Sequence, residues 1–360
     1  MKILLVSPLP PPVGGIATWT EQYCAYCRER SVDVSVVNTA LQGSRATNIN
    51  NKRDVFSEVK RTWSIFSDLR RQIRHNRPDV VHINSSCSTF GLTRDMLCVR
   101  YVKSKKIPVV LHFHCTIQDQ LPKGALPDAL FRAAVKKSDH VITMNTYSLN
   151  AVTEAGGGEK GSIIPNFIWV SPNMRPVEIQ ESIRKIIFVG HVQPNKGVWE
   201  IFQVAPLFPQ YRFILVGPVA EEVAVSQCPD NVTLLGKKSH PDTMALLREA
   251  DVFLFPSHTE GFSMALLEAM AVGLPSIATD VGANGDMLES MGGIIVPKES
   301  VGELADAIRK LECVDAREQM SQWSIRKVRE QYGTQRVVQQ IFSIYESVAG
   351  QPILDDFPAG

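Results

Sequence analysis

Ser257-His-Thr-Glu-Gly-Phe-Ser-Met-Ala-Leu-Leu-Glu-Ala-Met-Ala-Val-Gly-Leu-Pro275 follows Asp251-Val-Phe-Leu-Phe255, and together they read as strand, loop, helix and stop. The first run is short, apolar and rich in β-formers, while Gly273 and Pro275 end helices. Between Ser263 and Val272 every side chain after the serine is apolar except Glu268. Such a helix has no stripe for solvent and must be covered on most sides. Glu268 is then a carboxylate in an apolar wall, and it needs a cation or hydroxyl partners. Glu260 lies in the loop beside Gly261, Phe262 and Ser263, whose N–H groups open the helix, and a glycine-flanked helix start favours anions. Simpler readings make Ser257 to Glu260 a capping box and pair Glu268 with a nearby Arg or Lys. Both carboxylates flanking a glycine at a helix start point instead to a phosphorylated, hydroxyl-rich ligand.

Outward from this stretch the same alternation repeats. Lys185 to Gly190, Arg212 to Gly217, Val232 to Gly236, Val252 to Phe255, Ser276 to Ala278 and Gly293 to Val296 are strand-like. Gly197 to Phe208, Ser239 to Ala250, Ser263 to Val272 and Ser300 to Leu311 are the helices between them. Upstream, Pro165 to Pro176 holds three prolines and reads as a linker. Before it stand Lys2 to Ser7, Val32 to Val37, Asp79 to Asn84, Val109 to His114, His140 to Met144 and Ser162 to Ile164 as further strands with helices between them. Strand–helix repetition of this kind means parallel sheets with helices on both faces. The fold class is therefore α/β, two tandem doubly wound Rossmann-like domains facing a cleft. The expected domains are 1–170 and 171–335, with 336–360 as a helix and tail returning to the first.

The chain's 360 residues suffice for two cores, and 44% hydrophobic with 21% charged residues is a globular balance. No apolar run approaches the ~20 residues that span a bilayer. Met1-Lys-Ile-Leu-Leu-Val-Ser-Pro lacks an extended signal-peptide core and reads as a strand. Seven scattered cysteines suggest free thiols in a reducing compartment, and Cys24-Ala-Tyr-Cys27 lacks a second pair for zinc. The net charge of +1 conceals 22 basic against 13 acidic residues through Val170, and 16 against 24 after it. Two halves of opposite sign suggest different partners.

In the basic half, Asp54 to Asn76 is amphipathic, with Val55, Val59, Trp63, Phe66, Leu69 and Ile73 on one face. Lys52, Arg53, Lys60, Arg61, Arg70, Arg71, Arg74 and Arg77 decorate the others. The segment 52–77 is either a core-packed helix with a solvated basic face or an interfacial helix held on anionic lipid. It carries no recognisable nucleic-acid module, so no nucleic-acid partner is expected. At the N-terminus a strand runs into Pro8 to Gly15, and Gly14-Gly15 before a helix is a position for phosphate, or a plain turn. His112 and His114 share one face of their strand, and His82 lies within another. The pair has spacing for a metal, but no carboxylate or cysteine cluster completes a set, so no metal is expected.

Gly190-His-Val-Gln-Pro-Asn-Lys-Gly197, Phe213-Ile-Leu-Val-Gly-Pro218, Glu260-Gly-Phe-Ser and Glu268-Ala-Met-Ala-Val-Gly-Leu-Pro275 resemble the successive motifs of the GT-B-fold retaining glycosyltransferases of family GT4. The resemblance extends to Pro12-Val-Gly-Gly-Ile16, Asp79-Val-Val-His82, Phe113-His114 and Ile164-Pro-Asn166, covering nearly the whole chain. It implies a nucleotide diphosphate sugar in the second domain, with Lys196 at the diphosphate, Glu268 on the ribose hydroxyls, and Glu260 with the Gly261-Phe262-Ser263 backbone on the sugar. Lys237 and Lys238 would lie near the base, and Gly14 and Gly15 would approach the diphosphate from the first domain. His114 matches the family position near the reacting sugar, so His114 and Glu260 are the catalytic candidates. The nucleotide sugar is a substrate, and no cofactor is implied.

One departure is Gly190-His191 where the family usually has Gly-Arg, which turns a fixed positive charge into a titratable one. No carboxylate is identifiable for a double displacement. Same-face substitution is therefore expected, and a glycosyl adduct on Glu260 or Asp119 would contradict it. The acceptor expected is a lipid-linked saccharide of bacterial surface polysaccharide synthesis, handled by a cytoplasmic protein at the inner membrane face. A sugar-nucleotide epimerase, a phosphorylase and a non-catalytic nucleotide-sugar-binding protein are the competing readings on the same frame. An epimerase would need no acceptor, and a phosphorylase would need a pyridoxal-binding lysine context, which the sequence lacks.

Overall fold

The computed structural model describes residues 1–11, 15–40, 55–169, 176–289 and 291–353. Two compact units emerge, Met1–Asn166 with Val337–Gly360, and Phe167–Arg336.

In the first unit β1 (Lys2–Ser7), α1 (Gly15–Glu29), β2 (Asp33–Asn38), α2 (Val55–Asn76), β3 (Val80–Ser85), α3 (Thr89–Ser104), β4 (Val109–Phe113), α4 (Ile117–Gln120), α5 (Ala125–Lys137), β5 (His140–Thr143), α6 (Thr146–Val152) and β6 (Gly161–Ile163) follow one another. The sheet is parallel in the order β2-β1-β3-β4-β5-β6. Its inner strands are apolar throughout because helices cover both faces, and Leu5, Val6, Val80, Val81, Val109 and Val110 are fully buried. Strand order reverses between β1 and β3, which opens a crevice at their carboxyl ends, where ligands of such sheets bind.

The expected apolar face of α2 is corrected by the structure. Ile65, Leu69 and Ile73 enter the core and Phe66 packs partly against it, but Val59 and Trp63 are 58% and 68% exposed, as is Phe56 at 77%. Periodicity finds an apolar stripe without saying what covers it, and here the buried stripe runs through Ile65, one position round from Phe66. Val55's side chain, Lys52 and Arg53 lie outside the described residues.

The second unit runs β7 (Lys185–Val189), α7 (Val198–Val204), β8 (Arg212–Val216), α8 (Glu221–Ala224), β9 (Val232–Gly236), α9 (His240–Arg248), β10 (Val252–Phe255), α10 (Met264–Ala271), β11 (Ser276–Thr279), α11 (Asn284–Leu288), β12 (Gly293–Val296), α12 (Val301–Lys310) and α13 (Val314–Lys327). Its sheet is also parallel, in the order β12-β11-β10-β7-β8-β9, with the reversal between β7 and β10. The last helix, α14 (Thr334–Ala349), sets Phe342 and Tyr345 against Tyr23 of α1 in the first unit.

α10 forms as its sequence dictates. Ser263 Oγ accepts from the Leu266 N–H at 3.2 Å, and Leu266, Leu267, Ala269, Met270 and Ala271 are buried. Each large side chain among them contributes roughly 1.5–3 kcal/mol by leaving water. The capping box is corrected: Ser257 Oγ donates to the Thr259 carbonyl at 3.2 Å, and the cap is Ser263.

Candidate active site

The loops after β7 and β10 leave neighbouring strands at the reversal point and are tied together, His258 N donating to the Asn195 carbonyl at 3.0 Å. Lys196 ends a 3-10 turn, Pro194–Lys196, and its Nζ meets Glu260 Oε1 at 2.5 Å and the Thr259 carbonyl at 3.4 Å. Gly197 follows at φ 73°, and a Cβ there would stand 2.0 Å from the Pro256 carbonyl oxygen, so only glycine lets the two loops approach. A cation, a carboxylate and the N-terminal end of α10 thus share one crevice, an arrangement suited to an anion bearing hydroxyls. Phe262 turns its ring away onto Tyr332, 5.6 Å between centroids, which leaves only its backbone for a ligand. Ser263 is likewise committed as the cap. His191 is exposed just beyond β7.

Glu268 stands in the apolar wall of α10 with its side chain 15% exposed. Its partner is neither Arg nor Lys but His240, whose Nε2 lies 3.1 Å from Glu268 Oε1. That bond raises the His240 pKa, against an opposing effect of partial burial. Lys237 and Lys238 are exposed immediately beyond β9, on the way to His240.

In the first unit His114 follows β4, and its Nε2 lies 2.9 Å from Asn84 Oδ1. Its ring stacks on His112 at 3.9 Å, and the edge of Trp19 meets it at 5.2 Å. His82 and His112 are fully buried, their Nε2 and Nδ1 atoms 3.2 Å apart, and His82 Nδ1 bonds the Tyr345 hydroxyl. Burial, with help from His82 at His114 and from both His114 and His82 at His112, brings the pKa values of His82 and His114 down to about 3 and lowers that of His112 as well. His114 is accordingly a neutral imidazole. A Cβ at Gly15 would meet nothing within 4 Å, so among the described residues no packing demands that glycine. Gly14 lies outside the described residues.

Two family profiles together cover residues 13–327: Glycosyltransferase Family 4 over residues 13–171 and Glycosyl transferases group 1 over 171–327. The chain is a glycosyltransferase of this family. Its fold is GT-B. Among similar proteins, the capsular polysaccharide biosynthesis glycosyltransferase CapM of Staphylococcus aureus is 23% identical over 357 residues, 89% of this chain and 92% of that one. Sucrose-phosphate synthase from Thermosynechococcus elongatus superposes with a TM-score of 0.78 at 15% identity, covering 97% of this chain and 99% of that one. Anabaena HepE in complex with UDP gives 0.70 at 16%, covering 96% and 100%. At such identities the two structures bear on the fold alone.

Several residues of this glycosyltransferase escaped sequence reasoning. His240 lies 28 positions from Glu268, and Tyr345 lies 263 from His82, so no spacing rule joins them. On α2, Trp63, Phe66, Arg70, Arg71, Arg74 and His75 line a concavity of about 360 Å³ beside the exposed Phe56 and Val59. Arg70 stacks over Phe66 and Tyr101 at 5.9 and 5.6 Å. Among the described residues, no helix is long and apolar enough to cross a membrane.

Proposed function

We propose that this glycosyltransferase moves a sugar from a nucleoside diphosphate sugar to the hydroxyl of a lipid-linked saccharide, with retention of anomeric configuration, at the cytoplasmic face of a bacterial membrane during surface polysaccharide synthesis. The observation that carries this reading is the Lys196–Glu260 pair at the reversal of the second sheet, just before the α10 helix that bears Glu268. Lys196 exchanges Glu260 for the diphosphate, Glu268 exchanges His240 for the ribose hydroxyls, and Glu260 with the Gly261-Phe262-Ser263 backbone holds the sugar. The bases sit towards Lys237 and Lys238. His191 adds a proton-dependent charge near the diphosphate, Gly15 offers its backbone N–H to it, and His114 contacts a sugar hydroxyl.

In the reaction the bond from the anomeric carbon to the diphosphate oxygen breaks as the acceptor oxygen bonds to the same face. The acceptor proton passes to the departing phosphate oxygen. Negative charge grows on the leaving group, where Lys196 and the α10 N–H groups are already aimed, so no resident cofactor is called for. The names of CapM and of HepE in complex with UDP support the polysaccharide and nucleotide parts of this reading. The exposed Phe56, Val59 and Trp63 beside Lys60, Arg70, Arg71 and Arg74 support an anionic lipid surface, since each basic residue near such a surface contributes about 1 kcal/mol.

A single assay tests both halves. The full chain is incubated with nucleotide sugars and a polyprenyl diphosphate saccharide in anionic or neutral vesicles, and the product linkage is read by NMR. Retained configuration is expected, with turnover on anionic vesicles reduced at least tenfold by Arg70→Glu, Arg71→Glu and Arg74→Glu together. An inverted product contradicts the substitution, and equal turnover on neutral vesicles contradicts the membrane role of α2.

A further inference from the structure

Beneath His114 a directed chain of buried hydrogen bonds runs back to the first turn of α1. The Ile16 carbonyl can only accept, so the Thr20 hydroxyl donates to it at 2.8 Å. That uses the one proton of Thr20, and the contact at 2.5 Å between Ser7 Oγ and Thr20 Oγ1 must therefore have Ser7 as donor. Ser7 Oγ in turn accepts from Asn84 Nδ2 at 2.7 Å, which fixes the Asn84 amide with its oxygen towards His114. An amide oxygen only accepts, so His114 Nε2 carries the proton. The neutral ring has one proton to give, and Nδ1 keeps its lone pair. Ser7 and Thr20 are fully buried and Asn84 is 2% exposed, so water does not compete at the Ser7–Thr20 and Asn84–Ser7 bonds that set the direction of the chain.

We infer that Asn84, Ser7 and Thr20 are positioning residues that set His114 as the Nε2–H tautomer and so present Nδ1 as an acceptor for a saccharide O–H. The inference rests on the proposed contact between His114 and the donor sugar and adds its polarity. His114 takes a hydrogen bond there and does not give one, so a sugar with a hydroxyl at the contacted carbon is preferred over its deoxy or O-methyl analogue. Stacking on His112 and the Trp19 edge hold the ring plane, but neither sets where the proton sits; the amide does.

The test is the nitrogen NMR signature of His114 in the full chain labelled at histidine, assigned through His114→Gln. The protonated Nε2 and bare Nδ1 pattern is expected. In Thr20→Val the Ser7 proton loses its acceptor, turns to Asn84 and lets the amide reverse, so Nδ1–H becomes populated, while Thr20→Ser restores the original pattern. A wild-type His114 protonated at Nδ1, or a tautomer indifferent to Thr20→Val and Asn84→Leu, overturns the inference. Affinity is read alongside: the nucleotide sugar should bind about five- to tenfold more weakly to Thr20→Val, with the sugar-free nucleoside diphosphate unchanged. A tautomer that responds without any change in sugar-nucleotide affinity leaves the positioning chain standing and overturns the sugar contact of His114.

Discussion

Acidification from pH 7 to about pH 4 should unfold the first unit. His82, His112 and His114 crowd around Trp19, with ring centroids 5.2–5.6 Å from the indole, and their partners are the Tyr345 hydroxyl, the Asn84 amide and one another, none a carboxylate that would reward a proton. Burial therefore brings His82 and His114 to about 3 and His112 below its ordinary value, against about 6.5 in an unfolded chain. Between about pH 6.5 and 3 the unfolded chain binds more protons than the native one, so stability is full above pH 6.5 and lost as pH falls through that window. Each histidine can remove up to about 1.4 kcal/mol per pH unit, and His114, partly open to solvent, removes less. Against a typical stability of about 5–15 kcal/mol, two to three such groups exhaust the fold within a few units. Denaturation curves from pH 7 to 4 should show this slope, and His82→Gln should reduce it by about one proton. A stability unchanged across that range would contradict the account. The His240–Glu268 pair has the opposite sign, its contribution lying at acid pH and fading as pH rises through the raised His240 value. His240 is largely exposed, so the pair is weak and screened.

Gly217→Ala should be the most damaging single methyl group in the second unit. An alanine Cβ there would stand 1.8 Å from the Gly190 carbonyl oxygen, at a φ of 142° that side chains avoid. Neither backbone can yield cheaply. Gly190 N donates to the Val216 carbonyl and Gly217 N to the Gly236 carbonyl, both at 3.0 Å, tying the ends of β7, β8 and β9 together. A loss above about 4 kcal/mol is expected, the range reached when backbone must move to relieve overlap. Gly236→Ala is the internal control. Its φ is 66° but an added Cβ meets nothing within 4 Å, so about 1–2 kcal/mol of conformational strain is the whole effect. Chemical denaturation of the two variants side by side decides, and equal stabilities would mean the strand ends are not packed as described.

The strand–helix rhythm was legible because buried parallel strands write themselves as unbroken apolar runs, as in Asp251-Val-Phe-Leu-Phe255, and because Ser263 and Gly273 mark where α10 begins and ends. The order of the strands was not, since β1 and β7 lie beside β3 and β10, strands that come after intervening strands and helices, and packing rather than local pattern decides that choice. The same limit governs the site. Glu260 and Glu268 announce themselves, one beside a glycine and one alone among apolar residues, yet their partners Lys196 and His240 come from other elements, a 3-10 turn after β7 and the start of α9. Val59 and Trp63 illustrate the converse: their periodicity is genuine, and it belongs to an exposed face.

Binding of a nucleoside diphosphate by Lys196, Glu260 and Glu268 is the step on which the proposed function depends. Its most direct test is a thermal-shift measurement of the full chain against UDP, GDP, ADP, dTDP and CMP with their common sugar conjugates. A ligand at ~100 times its dissociation constant stabilises the folded state by ~2.7 kcal/mol, well within reach of the method. A shift is expected with one nucleoside diphosphate and its sugar conjugate, lost in Lys196→Ala and Glu268→Ala while both variants stay folded. No shift from any member of the panel, or a shift that survives both substitutions, would contradict it.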